Sequence, residues 1–292
     1  MDRKENVKLS IIIPTIGRVT ELKDLLLSIV DACLPFNFEI IIIDQNEKGF
    51  LQDMLIEFEN KLPINHCIVP FKGLSKAKNF GFSLSAGEFV SFPDDDCKIF
   101  KETFENALSE IHDRNLDIVF GKCIDEDGND SVLNFKKEST FLDRRNMLGG
   151  FVEATVISKR EIFDEYKFDE NMGAGCFFGA EEGYDWLYRV FSEERPNKVM
   201  FSPRIEFYHP QVIFSKGDYS SLNRVFKYRC GTAYLCNKHN FWFKYYKRVI
   251  LSSCAYYFFY FINKNNSTYY KTEMLALRLG KIFAKKNSEN VK

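Results

Sequence analysis

Between Leu9 and Pro93 the chain alternates strand-like and helix-like segments four times, and few folds accommodate that order. The runs Leu9-Ser10-Ile11-Ile12-Ile13 and Glu39 to Asp44 are rich in β-branched residues and show no polar face, the pattern of strands covered on both sides. Glu21 to Ala32 follows the first run with Leu22, Leu25, Leu26, Ile29 and Val30 at helical spacing. A second helix is expected over Leu51 to Asn60, a strand over Asn65 to Val69, and a third helix N-capped by Ser75 and stopped at Gly87. Glu88 to Pro93 closes the series as a fourth strand. The expectation is an α/β fold, with a mostly parallel central sheet and helices on both faces.

Open sheets of this kind bind ligands beyond the carboxyl ends of their strands. Those ends carry Pro14-Thr15, Asp44 and Asp94-Asp95-Asp96. Three adjacent carboxylates repel one another unless a cation or hydrogen-bond donors neutralise them, which points to a divalent metal holding phosphate. A solvated acidic turn that caps the next helix explains the same residues, and both readings stand on the sequence alone.

The order and spacing of four pieces carry a resemblance. They are Ile11-Ile12-Ile13-Pro14-Thr15-Ile16-Gly17-Arg18, Ile41-Ile42-Ile43-Asp44, Gly73 to Gly81, and Ala86 to Asp96. Together they are similar to a family 2 glycosyltransferase of the GT-A fold, of the bacterial surface-polysaccharide type. The resemblance implies that Pro14, Thr15 and Asp44 hold a nucleoside, with Asp44 accepting from a uracil imide N–H. It places Arg18, Lys76, Lys78, Asn79, Asp94 and Asp95 toward the nucleotide. It makes Asp94 and Asp96 a D-x-D pair for Mn²⁺ or Mg²⁺ bridging the diphosphate, and His209 in Phe207-Tyr208-His209-Pro210 a further group at that site. From the residues alone, Asp44 equally caps a helix or binds a ribose hydroxyl, and Lys76 and Lys78 read as the solvated face of a short helix.

Downstream, Phe168 to Gly175 leads through Phe178-Gly179-Ala180 to Glu181-Glu182-Gly183-Tyr184-Asp185. This stretch resembles the family's acceptor-side loop and the start of the helix bearing its catalytic acid. Inverting sugar transfer needs a general base for the acceptor hydroxyl, and the resemblance names Glu182 first, Asp185 second, with Glu181 beside them. First-turn helix acids favoured by the macrodipole are the competing reading.

The chain has 292 residues, 45% of them hydrophobic, and a net charge of −1 that hides a division. Residues 216–292 hold 15 Lys and Arg against 3 Asp and Glu, a balance of +12, and 18 of the 46 aromatic residues. Basic groups attract anionic headgroups and amphipathic rings settle at the headgroup boundary, so an inner-membrane surface is the expected partner of the tail. Its longest uncharged apolar run, Val249 to Ile262, would reach about 21 Å as a helix, short of the roughly 30 Å hydrocarbon core. A cap over the acceptor site and a dimer interface are alternatives; no RNA-binding motif is present, and nucleic acid is not an expected partner.

The eight cysteines are scattered singly without a C-x-x-C pair, and no signal peptide precedes the first strand, which fits a reducing cytoplasm. The expected domains are 1–215, divided into a nucleotide-sugar half (about 1–97) and an acceptor half (about 98–215), and a helical region 216–292, with the boundary near Ser215 to Asp218 and a frayed end over Lys285 to Lys292. The expected activity is metal-dependent inverting transfer from a nucleotide-sugar, UDP-linked by resemblance, to a lipid-linked glycan in capsule, O-antigen or exopolysaccharide synthesis. A sugar nucleotidyltransferase shares the sheet and the aspartates, but Pro14 to Arg18 offers one glycine where such enzymes carry a glycine-rich phosphate loop. A non-catalytic membrane-bound nucleotide-binding scaffold is the third reading.

Overall fold

The computed structural model describes residues 6–191, 197–211 and 217–290, and the side chains of these apart from 287–290. In chain order the elements are β1 (Leu9–Thr15), α1 (Thr20–Ala32), β2 (Phe38–Asp44), α2 (Gln52–Ile56), β3 (Ile64–Ile68), α3 (Leu74–Leu84), β4 (Phe89–Ser91), β5 (Lys98–Ile99), α4 (Thr103–Arg114), β6 (Ile118–Ile124), β7 (Thr140–Phe141), β8 (Val156–Lys159), α5 (Arg160–Glu165), α6 (Glu182–Val190), β9 (Val199–Tyr208), α7 (Tyr219–Lys238), α8 (Trp242–Tyr260) and α9 (Lys264–Asn290). They divide into two compact units. The larger runs to Lys72, resumes over Lys76–Lys167 and continues from Trp186 through β9; the smaller joins Gly73–Ser75 and Phe168–Asp185 to the C-terminal helices. Ser215 and Lys216, at the boundary expected from composition, lie outside the described residues. The end expected to fray is helical as far as Asn290, and 291–292 are likewise outside.

The larger unit is built on one nine-stranded sheet of order β3-β2-β1-β4-β8-β6-β9-β5, with β7 on β9. The strands β3, β2, β1 and β4 run parallel, as their unbroken apolar runs require. β8 then enters antiparallel to both β4 and β6, and β6 and β9 pair in parallel again. Helices cover both faces. Leu9, Ile11 and Ile13 pack with Leu22, Leu25, Leu26 and Ile29 of α1, while Ile12, one residue out of phase, meets α3 on the other face. There Gly81 approaches so closely that a Cβ on it would lie 2.5 Å from Ile12 Cγ2 and 3.0 Å from Ile43 Cγ1.

Three expectations shift in detail. α2 is five residues long and gives way to turns, and the strand before the aspartates is confined to Phe89–Ser91. Ser75 lies inside α3, and its hydroxyl donates to the Met172 carbonyl at 2.8 Å instead of capping the helix.

In the smaller unit, α7, α8 and α9 pack around a buried carboxylate. Glu273 has no exposed surface, and it receives Arg229 at 2.5 Å, Ser252 at 2.7 Å and a further hydrogen bond from Arg248. Burial by itself would raise this carboxyl, but the two guanidinium groups and Ser252 outweigh it and hold the group below the usual range. Backbones also meet directly. A Cβ on Gly231 of α7 would lie 2.5 Å from the Ala180 carbonyl oxygen, and one on Gly280 of α9 would lie 2.8 Å from Cys230 Cα.

Two outcomes follow from this packing. Gly81→Ala should gain about 1 kcal/mol of helix propensity but lose about 1–3 kcal/mol to overpacking against Ile12 and Ile43, a net loss readable in urea unfolding followed by the fluorescence of buried Trp186. Glu273→Gln should cost the helical unit about 3–5 kcal/mol at neutral pH, because it leaves two arginines facing a neutral group. The folded Glu273 pKa is depressed, so its stabilisation is present above the unfolded value of about 4.3 and is lost as pH falls through the folded value; the gap between wild type and variant in urea midpoint should close over that acid range.

Candidate active site

At the carboxyl rim of the larger unit's sheet the turns after β1 and β2 are tied together. Thr15 and Asp44 are register partners, and the Gln45 N–H donates to the Thr15 carbonyl at 3.0 Å. Asp44 is fully buried, with Oδ1 accepting from the Asn46 backbone and side-chain N–H at 2.9 and 2.7 Å, and Oδ2 accepting from His66 Nε2 at 3.0 Å. The Asn46 side-chain oxygen in turn accepts the Gly17 N–H at 2.7 Å. Gly17 has φ +72°, so the turn leaving β1 takes the left-handed conformation that glycine adopts without cost. Asp44 therefore closes an Asx-type turn and caps no helix.

The three aspartates form the tight turn after β4, with the Cys97 N–H donating to the Asp94 carbonyl at 3.0 Å. They separate into different roles. Asp95 turns inward, where it accepts from the Thr15 hydroxyl at 2.7 Å and Arg18 at 2.6 Å. Burial lifts its carboxyl above the usual range despite both partners. Arg18 also reaches Asp96 Oδ2 at 2.8 Å. Burial disfavours the guanidinium charge, yet Asp95 and Asp96 more than compensate and raise its affinity for the proton. Arg18 thus spans the turn after β1 and two of the three carboxylates.

Asp96 Oδ1 is different: it is buried and has no hydrogen-bond partner. Such an atom costs about 1–3 kcal/mol unless something satisfies it. It lies 3.8 Å from His209 Nε2, and His209 Nδ1 donates to the Pro210 carbonyl at 2.7 Å, which leaves Nε2 as the lone-pair nitrogen of the neutral ring. Ligand atoms of Asp96, Cys97 and His209 lie within 4.8 Å of one another. Burial, reinforced by Asp94, pushes the Cys97 thiol well up, so it remains protonated. What the cluster offers a cation is therefore carboxylate oxygen and imidazole nitrogen, a set that fits Mn²⁺ or Mg²⁺ better than a thiophilic metal.

Lys78 departs from its expected place on a solvated face. It is 1% exposed, donates to Glu153 at 2.6 Å and stands 3.8 Å from Asp94. Burial raises the Glu153 carboxyl, and Lys78 opposes the shift. Helical spacing carries the missing signal, since Ser75, Lys78, Phe82 and Ser85 fall three or four residues apart and all four are buried. Lys76 is exposed, its ammonium 4.6 Å from the centre of the Phe71 ring, and Asn79 is half-buried.

The smaller unit gathers the second set of acids. Glu182 opens α6 and is 8% exposed. Gly173, at φ +97°, lies close enough that a Cβ there would be 3.3 Å from the Glu182 carboxyl and 3.0 Å from Ser75 Oγ. Glu181, at φ +75°, accepts from Thr232 at 2.7 Å and from Lys244 at 2.9 Å. Asp185 is fully buried and receives His239 Nε2 and Lys238 Nζ, both at 2.8 Å. Lys238 also bonds Asp169 at 2.7 Å, and although burial would raise the Asp169 carboxyl, Lys238 and Asn171 hold it below the usual range. Thr232, Lys238, His239 and Lys244 are thus the unforeseen members of the cluster. Three of them, Thr232, Lys238 and His239, sit on α7 and its C-cap.

Comparison with known proteins accords with these features. The model of Glycosyl transferase family 2 matches residues 10–180, ending one residue before Glu181. The Minor teichoic acid biosynthesis protein GgaB of Bacillus subtilis (strain 168) is 25% identical over 185 residues, covering 60% of this chain and 20% of GgaB. The Poly(ribitol-phosphate) beta-N-acetylglucosaminyltransferase TarS of Staphylococcus aureus (strain Mu50 / ATCC 700699) is 28% identical over 119 residues, covering 40% of this chain and 21% of TarS. The matched regions amount to about a fifth of the length of these relatives. Among solved structures, S. aureus TarS 1-349 superposes with a TM-score of 0.60 at 16% identity, over 98% of this chain and 92% of that one. The same protein in complex with UDP-GlcNAc gives 0.61 at 15%, over 96% and 92%. With the family match covering more than half of its length, the chain belongs to glycosyl transferase family 2 and has the GT-A fold.

Proposed function

We propose that this protein is a metal-dependent inverting glycosyltransferase that moves a sugar from a UDP-sugar to a surface glycan of a bacterium, carried on a lipid at the inner face of the cell membrane. The observation that carries the donor half is the buried, unpartnered Asp96 Oδ1 beside His209 Nε2, at the carboxyl end of a strand in a GT-A sheet. Asp94, Asp96 and His209 would hold the cation, which when bound supplies positive charge to the departing diphosphate. Asp95 serves differently: locked between Thr15 and Arg18, it fixes the turn that presents its neighbours. Asp44, with Pro14 and Thr15, is the reader of the nucleobase, its carboxylate oriented by Asn46 and His66. Lys76, Asn79 and Arg18 are assigned to the diphosphate side. The UDP-GlcNAc complex of TarS supports a UDP-linked donor, and the names of GgaB and TarS favour a teichoic-acid-type polymer as the acceptor class.

Glu182 is the proposed general base. Glu181 and Asp185 are each tied by a lysine into the helical packing of the smaller unit, Asp185 by a histidine as well. Glu182 borders the glycine loop around Gly173, whose backbone lies directly against the Glu182 carboxyl. It is 8% exposed at the start of α6, in reach of an acceptor hydroxyl brought to that loop.

Calorimetry tests the donor half. UDP should bind in the presence of Mn²⁺, and Asp96→Asn should weaken that binding by at least about tenfold, while Cys97→Ala leaves it unchanged. Binding that ignores both metal and Asp96 would return the aspartates to a structural turn. Separately, Glu182→Gln should lower kcat by about 10²–10⁴ with UDP affinity intact, and a variant that retains full turnover removes Glu182 from the base role.

A further inference from the structure

We infer that the outer face of α8 is a membrane-docking surface that lays the helix along the headgroup region of an anionic bilayer. The inference deepens the lipid-linked reading of the acceptor but does not depend on the identity of the donor or sugar. Phe243, Tyr246, Ile250, Tyr257 and Phe261 follow one another at intervals of three, four and seven residues, so they form a single stripe along the helix and its C-cap. The stripe is bare: Phe243 is 83% exposed, Ile250 60%, Tyr257 68% and Phe261 89%. The opposite side of α8 is fully engaged, with Tyr245 and Ser252 buried and Arg248 bonded to Glu273 of α9. Packing has therefore fixed which face α8 turns outward.

An apolar stripe of this size on an isolated surface calls for a partner. Charge identifies which. Between Tyr219 and Lys286 there are thirteen Lys and Arg, and the sole carboxylate is Glu273, which is buried and neutralised. Lys247 is exposed on the flank of the stripe, and Lys264 follows its end. A second copy pressed against the same face would bring lysine against lysine without a carboxylate to pair either. An anionic bilayer supplies the complement on both counts: phosphates for the cations, and the headgroup boundary for rings whose phenol hydroxyls remain wet. At 19 residues the helix is about 28 Å long, and among the described residues no helix is long and apolar enough to cross a membrane, so α8 lies in the surface plane.

The placement links binding to the acidic loop. Lys244, in the first turn of α8, donates to Glu181, the residue before Glu182. The helix that would rest on lipid is thus the one that holds the loop assigned to the acceptor hydroxyl.

Co-sedimentation of the full chain with vesicles tests the inference. Vesicles of phosphatidylcholine mixed with phosphatidylglycerol should bind the protein at least about tenfold better than phosphatidylcholine alone, and added salt should weaken the binding. The variant Phe243→Ser/Ile250→Ser/Tyr257→Ser alters exposed positions only; it should lose at least about tenfold in vesicle binding while helix content and UDP binding by calorimetry are unchanged. Equal binding by wild type and variant overturns the inference, as does failure of the wild type to bind either vesicle. A concentration-dependent dimer that the variant abolishes, without vesicle binding, assigns the stripe to a second copy instead. Because UDP binding is read separately, loss of the membrane result leaves the donor site standing, and loss of the donor result leaves the membrane result standing.

Discussion

Arg18 holds the larger unit's rim together. Three consecutive aspartates at the end of a strand are unstable as neighbours, and the sequence places them there without an adjacent counter-charge. The counter-charge comes from the turn after β1, whose guanidinium bonds Asp95 and Asp96 at once. Both contacts are made from Nη1, a hydrogen bond to Asp95 and an ion pair to Asp96. Once Asp95 is spent on Arg18 and Thr15, Asp96 is left with one oxygen turned toward His209 and no partner. The stability of the turn and the availability of a ligand atom are two results of the same pairing.

The smaller unit solves a similar problem with more cations. Asp169, Glu181 and Asp185 each take a lysine, and the lysines come from α7 and α8. The basic character of the C-terminal region therefore has two uses that composition alone merges into one. Part of the positive charge is consumed internally, against these acids and against Glu273, and the remainder faces solvent on Lys247, Lys264 and their neighbours.

The sheet was legible because β-branched runs without a polar face have few other fates, and the rim followed from where those runs end. Asp44 and Asp94 to Asp96 could be singled out for that reason before any geometry was known. Lys78 was not, because a lysine on a short helix is ordinarily solvated; its inward phase with Ser75 and Phe82 was visible, but its partner Glu153 lies 75 residues away. Separation in sequence also hid the pairing of Glu181 with Lys244, 63 residues apart, and of Arg229 with Glu273, 44 apart. Local periodicity specifies which face of an element is buried, whereas the choice of ionic partner is settled only when distant elements meet. The reversal of β8 within the sheet belongs to the same class, since a strand of four residues carries no mark of direction.

Gly231 and Gly280 bear on how this arrangement could diversify. At both positions the missing side chain brings main chain against main chain, Gly231 against Ala180 and Gly280 against Cys230. A spacing set by side chains drifts whenever those side chains are exchanged, because each new shape resets the distance between helices. A spacing set by backbone contact has no such dependence. The surrounding residues of α7 and α9 are thereby released from the duty of gauging distance, and they can be exchanged while the loop bearing Glu181 and Glu182 keeps its station.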